Sequence, residues 1–345
     1  VRFDLTIRGA GVFGLSVAHA CAARGARVRV VDPGGVAAGA SGGIVGALAP
    51  HTPENWNEKK AFQFASLVMA EDWWRGVERL SGLSSGYART GRLQPVADGA
   101  ALVLARRRGE SATKLWGDFA TWEVIKAAQA GDWAPQSESG WLIRDTLSAH
   151  LHPAQACAAL AAAVCAQGGQ IVAEAAQDTP EVWATGHSGL ALLSRELGKT
   201  VGAGVKGQAV LLRLDRRGAP QLFGDAVHIV PHGDGTVAIG STSERDFDDP
   251  TGTDAQLDAV LERAIAVCPA LGGAPVIARW AGVRPRARSR APMLGPHPAR
   301  ADVFIASGGF KIGFGMAPKM AETMADLGLT GRDRVPDGFR VTDNL

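Results

Sequence analysis

An α/β fold is predicted: a parallel-sheet lobe interleaved with an α+β lobe of mostly antiparallel sheet. Three features carry that expectation. The first is the order of elements in residues 3–50: an apolar strand FDLTI, then Gly9, Gly11 and Gly14, an apolar helix, and a second strand VRVVD that ends on Asp32. The second is a compact helix-to-strand return, in which His152-Pro153 opens an Ala-rich helix to Gln167 and Gly168-Gly169 leads into QIVAEA. The third is a strand-rich region comprising GQAVLLRL, AVHIVPHGDGTVAIGST and VIARWAGVRPR, where HGDG between two apolar runs signals a hairpin.

Strand, G-x-G-x-x-G, helix, strand, acid is the order needed to hold a dinucleotide. Gly9 permits a tight turn, Gly11 lets a pyrophosphate approach the main chain, and Gly14 lets the helix pack close to the sheet. Val12 and Phe13 open that helix, whose N-terminal N–H groups suit phosphate oxygens. Asp32 at the strand tip suits a carboxylate accepting hydrogen bonds from ribose hydroxyls, and it would repel a 2′-phosphate. Arg8 stands where such strands usually carry an apolar side chain, and it is expected to reach solvent.

Next comes PGGVAAGASGGIVGALAP, whose small side chains leave room for backbone to pass close to a bulky planar ligand. From Glu58 to Leu80, Phe62, Phe64, Leu67, Val68, Trp74, Val77 and Leu80 approximate helical spacing, so a long amphipathic helix is expected with its aromatics in the core. TGRLQPVAD and residues 138–143 read as sheet pieces of the second lobe, with a helical, Trp-rich stretch between them. EVWATG closes a strand on Gly186. DVFIASGG leads into FKIGFG and a helix from about Ala317 to Leu327. The expected lobe boundaries put residues 1–80, 145–205 and 292–345 in the nucleotide lobe, and 81–144 and 206–291 in the substrate lobe.

A chain of 345 residues, 46% of them apolar, can bury a large core in two lobes. Its net charge of +2 gives no indication of a nucleic-acid surface. It has no apolar run of about 18 residues, so no transmembrane helix is expected. With the strand FDLTI at its opening, no signal peptide is expected. Cys21, Cys157, Cys165 and Cys268 show neither C-x-x-C nor metal-ligand spacing, and are expected as buried thiols in a reducing cytoplasm without metal or disulfide.

Taken together, the motifs resemble the FAD-dependent superfamily of glycine oxidase, D-amino-acid oxidase and monomeric sarcosine oxidase, with glycine oxidase nearest by motif. Besides the Gly9 fingerprint, the likeness rests on ASGGIVGALAP (40–50), WATG (183–186), VHIVPHGDGTVAIGSTSE (227–244), AGVRPRARSRAPMLG (281–295) and SGGFKIGFGMAP (307–318). The resemblance implies a Rossmann-like FAD-binding domain with non-covalent FAD. Asp32 would hold its adenosine and Gly9, Gly11 and Gly14 its pyrophosphate. Its ring would lie beside Ala40, Ser41, Gly42, Gly46, Ala47 and Leu48. Thr185 and Gly186 belong to the A-T-G that ends a strand. Gly308, Gly309, Phe310, Lys311, Ile312 and Gly313 would form the closing loop, followed by a helix N-terminus that favours negative charge on the reduced ring. The sequence departs from the pattern at Ser289, where an acid is common, and at Lys311, where an arginine is.

The implied reaction is oxidation of the C–N bond of a small amino acid or secondary amine by hydride transfer to the flavin, with O2 as acceptor. It needs a fixed carboxylate and cations in an apolar pocket rather than a protein base. Arg284 aligns with the family's carboxylate-binding arginine and Lys311 is the second cation, although an arginine or lysine at such a place can also be a plain surface residue. Arg286, Arg288 and Arg290 alternate with Arg284. They could serve a strongly anionic substrate, but with Pro285 intervening they are expected as solvated side chains. Because the single tyrosine, Tyr87, lies outside every motif, His51 and His228 are the polar candidates near the substrate, each with a structural role as the alternative. No cysteine falls where sarcosine oxidases attach flavin. Other readings are a dehydrogenase with a different acceptor, a flavin domain related to tRNA wobble-uridine modification, and a non-catalytic dinucleotide-binding sensor.

Overall fold

The structure, a computed structural model, describes residues 2–345. β1 (Leu5–Arg8) and β2 (Val28–Val31) run parallel in the register Leu5 to Val28, joined by α1 (Val12–Ala23). α1 is apolar on all its faces and is buried almost throughout, as a helix packed on several sides must be. A two-residue strand, β3 (Ala47–Leu48), ends the small-residue segment. α2 (Glu58–Ser81) follows, capped by Asn57, whose side chain accepts the Lys60 N–H, and stopped by Gly82 in the left-handed conformation.

The chain then enters the second lobe through β4 (Arg92–Pro95), α3 (Gly99–Trp116), β5 (Trp122–Lys126) and β6 (Trp141–Asp145). β7 (Ala149–His150) returns to pair with β3, and α4 (Pro153–Ala166), β8 (Gln170–Val172) and β9 (Glu181–Trp183) complete much of the first lobe. α5 (Gly186–Glu196), β10 (Gly202–Arg213), β11 (Gln221–Gly224), β12 (Val227–Pro231), β13 (Thr236–Gly240), α6 (Ala255–Val267) and β14 (Val276–Ala287) follow. β15 (Met293–Pro296), β16 (Val303–Ser307) and α7 (Gly313–Thr330) return to the first sheet.

Two large sheets result. The six-stranded one has the order β15-β16-β9-β1-β2-β8 and is parallel except where β15 pairs with β16. The eight-stranded one has the order β14-β10-β13-β12-β11-β4-β6-β5 and is antiparallel except for β11 beside β4. One core joins β1, α1, α2, α4 and α7, and a second packs α6 against the eight-stranded sheet through Leu257, Val260 and Val267. Among the described residues no helix is long and apolar enough to cross a membrane.

Several details correct the sequence expectation. The Trp-rich stretch contains strand β5, because Trp122 is buried and its indole donates to the Ala105 carbonyl at 3.0 Å, which holds WEVIK flat against β6. α7 starts at Gly313, ahead of the expected Ala317, with Pro318 accommodated inside it. The expected boundary between 205 and 206 falls within β10, all of which belongs to the eight-stranded sheet. Cys165 is exposed near the end of α4, whereas Cys21, Cys157 and Cys268 are buried. Arg8 pairs at 2.5 Å with the buried Glu181 instead of simply reaching solvent.

Candidate functional site

A cavity of about 820 Å³ runs from the β1–α1 turn to the face of the eight-stranded sheet. That volume is within the range of small-molecule and cofactor sites. At one end lie Gly9, Gly11, Val12, Phe13 and Asp32, and at the other His228, Arg284 and Lys311.

The nucleotide end is built from backbone. Gly9 has φ +110°, and a Cβ there would stand 2.2 Å from the Ala184 carbonyl oxygen. A Cβ on Gly14 would stand 1.9 Å from the Gly9 carbonyl oxygen, so the helix start presses directly on the turn. Asp32 ties that turn down: its carboxylate accepts the Ala10 N–H at 2.8 Å and the Gly34 N–H at 2.9 Å. Ser41 Oγ accepts the Val12 N–H at 2.9 Å, which fixes the small-residue segment over the N-terminus of α1. Ala40, Ser41, Gly46 and Ala47 line the cavity, as do Thr185 and Gly186 after β9 and Gly308, Gly309, Phe310 and Gly313 after β16. Gly14, Gly42, Leu48 and Ile312 do not. Gly14 and Gly42 instead pack backbone on backbone, Leu48 is core, and Ile312 caps α7.

The other end is built from side chains. Arg284 on β14 lies over Gly207 of β10, where a Cβ would stand 2.3 Å from its Nη2. Its Nη1 donates to Ser241 Oγ at 2.7 Å and its Nη2 to the carbonyls of Thr242 at 2.7 Å and Lys206 at 3.3 Å. Its Nε–H is buried without a partner. Burial pushes its pKa down to about 10 against the opposing pull of Glu244, so it stays charged at neutral pH. Beneath it lies a polar network, buried at Lys206, Gln208 and Glu244 and exposed at Asp254. Lys206 and Glu244 pair at 3.6 Å, and the Gln208 amide donates to Glu244 and Asp254, each at 3.0 Å.

Lys311 lies on the loop before α7, exposed toward the mouth of the cavity. Desolvation lowers its pKa first, and the nearby Arg284 and Arg286 lower it further. His228 lines the cavity with its ring 4.6 Å from Phe223 and its Nδ1 unpartnered. Desolvation, then Arg92 and Lys311, push its pKa down to about 3, so the ring is neutral. His51 lies apart from these groups. Gln63 on α2 accepts from its backbone N–H at 2.7 Å and also meets its ring, and it does not line the cavity. Tyr87 does not line it either. Arg284 and Arg286 are both half-buried on β14, whereas Arg288 and Arg290 are exposed in the turn that follows, so the four do not form one face. His187, Ser241 and Trp280 also line the cavity. Of these only Ser241 falls inside a segment with a motif signal, 227–244.

The model of the FAD dependent oxidoreductase (DAO) family matches residues 4–327. The chain belongs to that family. It is 28% identical over 350 residues to the bifunctional protein ThiO/ThiG of Trichormus variabilis, covering 94% of this chain and 52% of that protein. It is 25% identical over 376 residues to the glycine oxidase of Geobacillus kaustophilus, covering 94% and 93%. The chain thus spans about half the length of the ThiO/ThiG relative. The crystal structure of the Geobacillus kaustophilus glycine oxidase superposes with a TM-score of 0.85 at 21% identity over 99% of this chain and 98% of that one, which establishes a shared fold.

The residues present fit FAD. The turn packs so tightly that only glycine fits at Gly9 and Gly14; Gly9, Gly11 and Val12 line the cavity at the N-terminus of α1, Asp32 stands beside them, and the cavity continues past small residues to the cationic end.

Proposed function

We propose that this chain oxidises the C–N bond of a small amino acid or secondary amine bearing a carboxylate. The observation that carries this reading is the pairing, in one cavity, of a glycine-built dinucleotide cradle with a half-buried arginine that has no carboxylate partner among the described residues. FAD, when bound, supplies the acceptor for the hydride. Arg284 grips the substrate carboxylate, its guanidinium held in place by Ser241 and the Thr242 carbonyl, and Lys311 adds a second, more mobile charge. These cations disfavour an ammonium and so select the neutral amine, the extra ammonium proton being lost to solvent as the substrate binds. His228 is held neutral and contributes shape and polarity rather than a proton acceptor. The apolar lining, including Phe310, Trp280 and Val283, excludes water around the reacting C–H bond.

The acceptor proposed is O2, in a reducing cytoplasm that suits four unpaired cysteines, with FAD held non-covalently. Anaerobic addition of small amino acids and N-methyl amino acids should bleach the bound flavin, and admitting air should restore its colour. Bleaching that air does not reverse but a quinone does would make the protein a dehydrogenase. A flavin that no such amine bleaches would contradict the proposal. Acid precipitation should leave the yellow colour in the supernatant.

A further inference from the structure

Three cations converge on one aromatic ring. The Phe310 ring centroid lies 5.3 Å from the Arg284 guanidinium carbon, 5.6 Å from that of Arg286 and 5.7 Å from the Lys311 ammonium nitrogen. The arrangement is built into the backbone. Phe310 N–H donates to the Pro285 carbonyl at 3.0 Å, which staples the closing loop to β14 at the residue between the two arginines. Residues two apart on a strand share a face, so the staple seats the ring between Arg284 and Arg286. Phe310 has φ +44°, an uncommon conformation for a residue with a side chain, and the loop holds it there.

None of the three cations pairs with a carboxylate among the described residues, although Arg8, Arg92 and Lys206 nearby in the fold all do. Among the described residues the one acid lining the cavity is Asp32, at the far end and occupied by the Ala10 and Gly34 N–H groups. One substrate carboxylate is matched by Arg284 and Lys311, which leaves Arg286 over: half-buried, it does not itself line the cavity but adjoins it through Pro285 and Phe310, which do. We infer that Arg286 forms a second carboxylate subsite, so that the preferred substrates are amines carrying two carboxylates, the inner one on Arg284 and the outer one on Arg286. The inference rests on the amine-oxidising reading of this cavity.

Unreactive thioether mimics test it on the FAD-loaded protein. Thiodiacetate carries two carboxylates and (methylthio)acetate one, and their dissociation constants are read from the change in flavin absorption. Thiodiacetate should bind at least about tenfold tighter, as expected for one added charge-assisted contact. Arg286→Gln should bring the ratio of the two constants close to one at unchanged flavin content, and Arg286→Lys should restore much of it. Equal affinities in the parent protein, no spectral response to thiodiacetate, or a preference that survives Arg286→Gln would overturn the subsite. If glycine and sarcosine bleach the flavin while the ratio is one, only the second subsite fails. If no amine bleaches it, the proposed function fails, and the subsite as a substrate determinant fails with it.

Discussion

Asp32 and Arg284 stand at opposite ends of one cavity and are held in opposite ways. Asp32 is tied to backbone N–H groups of the turn it closes, and Arg8 beside it is paired with Glu181. Arg284, Arg286 and Lys311 have carbonyls, a hydroxyl and an aromatic ring around them, but no carboxylate among the described residues. A charge that already has a partner helps define the fold. A charge held without one is, on the proposed function, kept for a ligand. The nucleotide end is therefore a shape made by backbone, and the other end is a field made by side chains, so substitutions at the two ends should fail differently.

The largest effect is expected at the backbone-built end. Gly9→Val puts a branched side chain at φ +110° and into the Ala184 carbonyl, so the cradle cannot close. The expected result is protein without flavin, by the ratio of visible to ultraviolet absorbance, and a stability loss of roughly 2–4 kcal/mol in denaturant titration. Retention of flavin in that variant would show that the turn is not the cradle.

At the other end, flavin should stay bound and substrate handling should fail. Arg284→Ala removes a charge-assisted anchor and should lower kcat/KM by roughly a hundredfold, corresponding to about 2.7 kcal/mol. Gly207→Ala separates position from charge, because its new Cβ would stand 2.3 Å from Arg284 Nη2, the movable end of a side chain. That variant should fold with near-parent melting temperature yet lose roughly tenfold in kcat/KM from a displaced guanidinium. Parent-like kinetics in Gly207→Ala would mean that Arg284 does not act from the position observed.

The smallest expected effect is on stability and lies behind the cavity wall, next to Ile44. His232 meets the Ile44 carbonyl at 2.9 Å, and its ring lies 5.0 Å from that of His152 and 6.1 Å from that of His150. Burial, with His232 adding to it, pushes the His150 pKa down to about 4 from 6.5. The unfolded chain therefore binds a proton that the folded chain refuses, and stability is lost as pH falls below about 6.5. The melting temperature should decline by several degrees between pH 7 and pH 5, and a flat profile would contradict neutral, buried rings.

The nucleotide end was legible because its signal is local: three glycines, two strands and an acid within one short segment, each doing a backbone job. The placement of Arg284 and Lys311 at the cavity was legible from their motif surroundings. His51 was misleading because it follows the small-residue segment in sequence, while Gln63 on α2 turns it away from the cavity. The contact of Arg286 with Phe310 was not legible, because that ring arrives from a separate segment through the Pro285 staple. β5 was hidden by tryptophans that suit a helix as well as a strand, and the start of α7 by glycines and Pro318, which read as breakers.

The central claim is that the cationic end recognises a carboxylate attached to the amine being oxidised. Its most direct measurement is the anaerobic rate of flavin reduction by sarcosine and by dimethylamine, the same secondary amine without a carboxylate, in the parent protein and in Arg284→Ala. Reduction by sarcosine at least about a hundredfold faster in the parent, with that advantage lost in Arg284→Ala, is the predicted result. Equal rates for the two amines, or an advantage unchanged in Arg284→Ala, would contradict it.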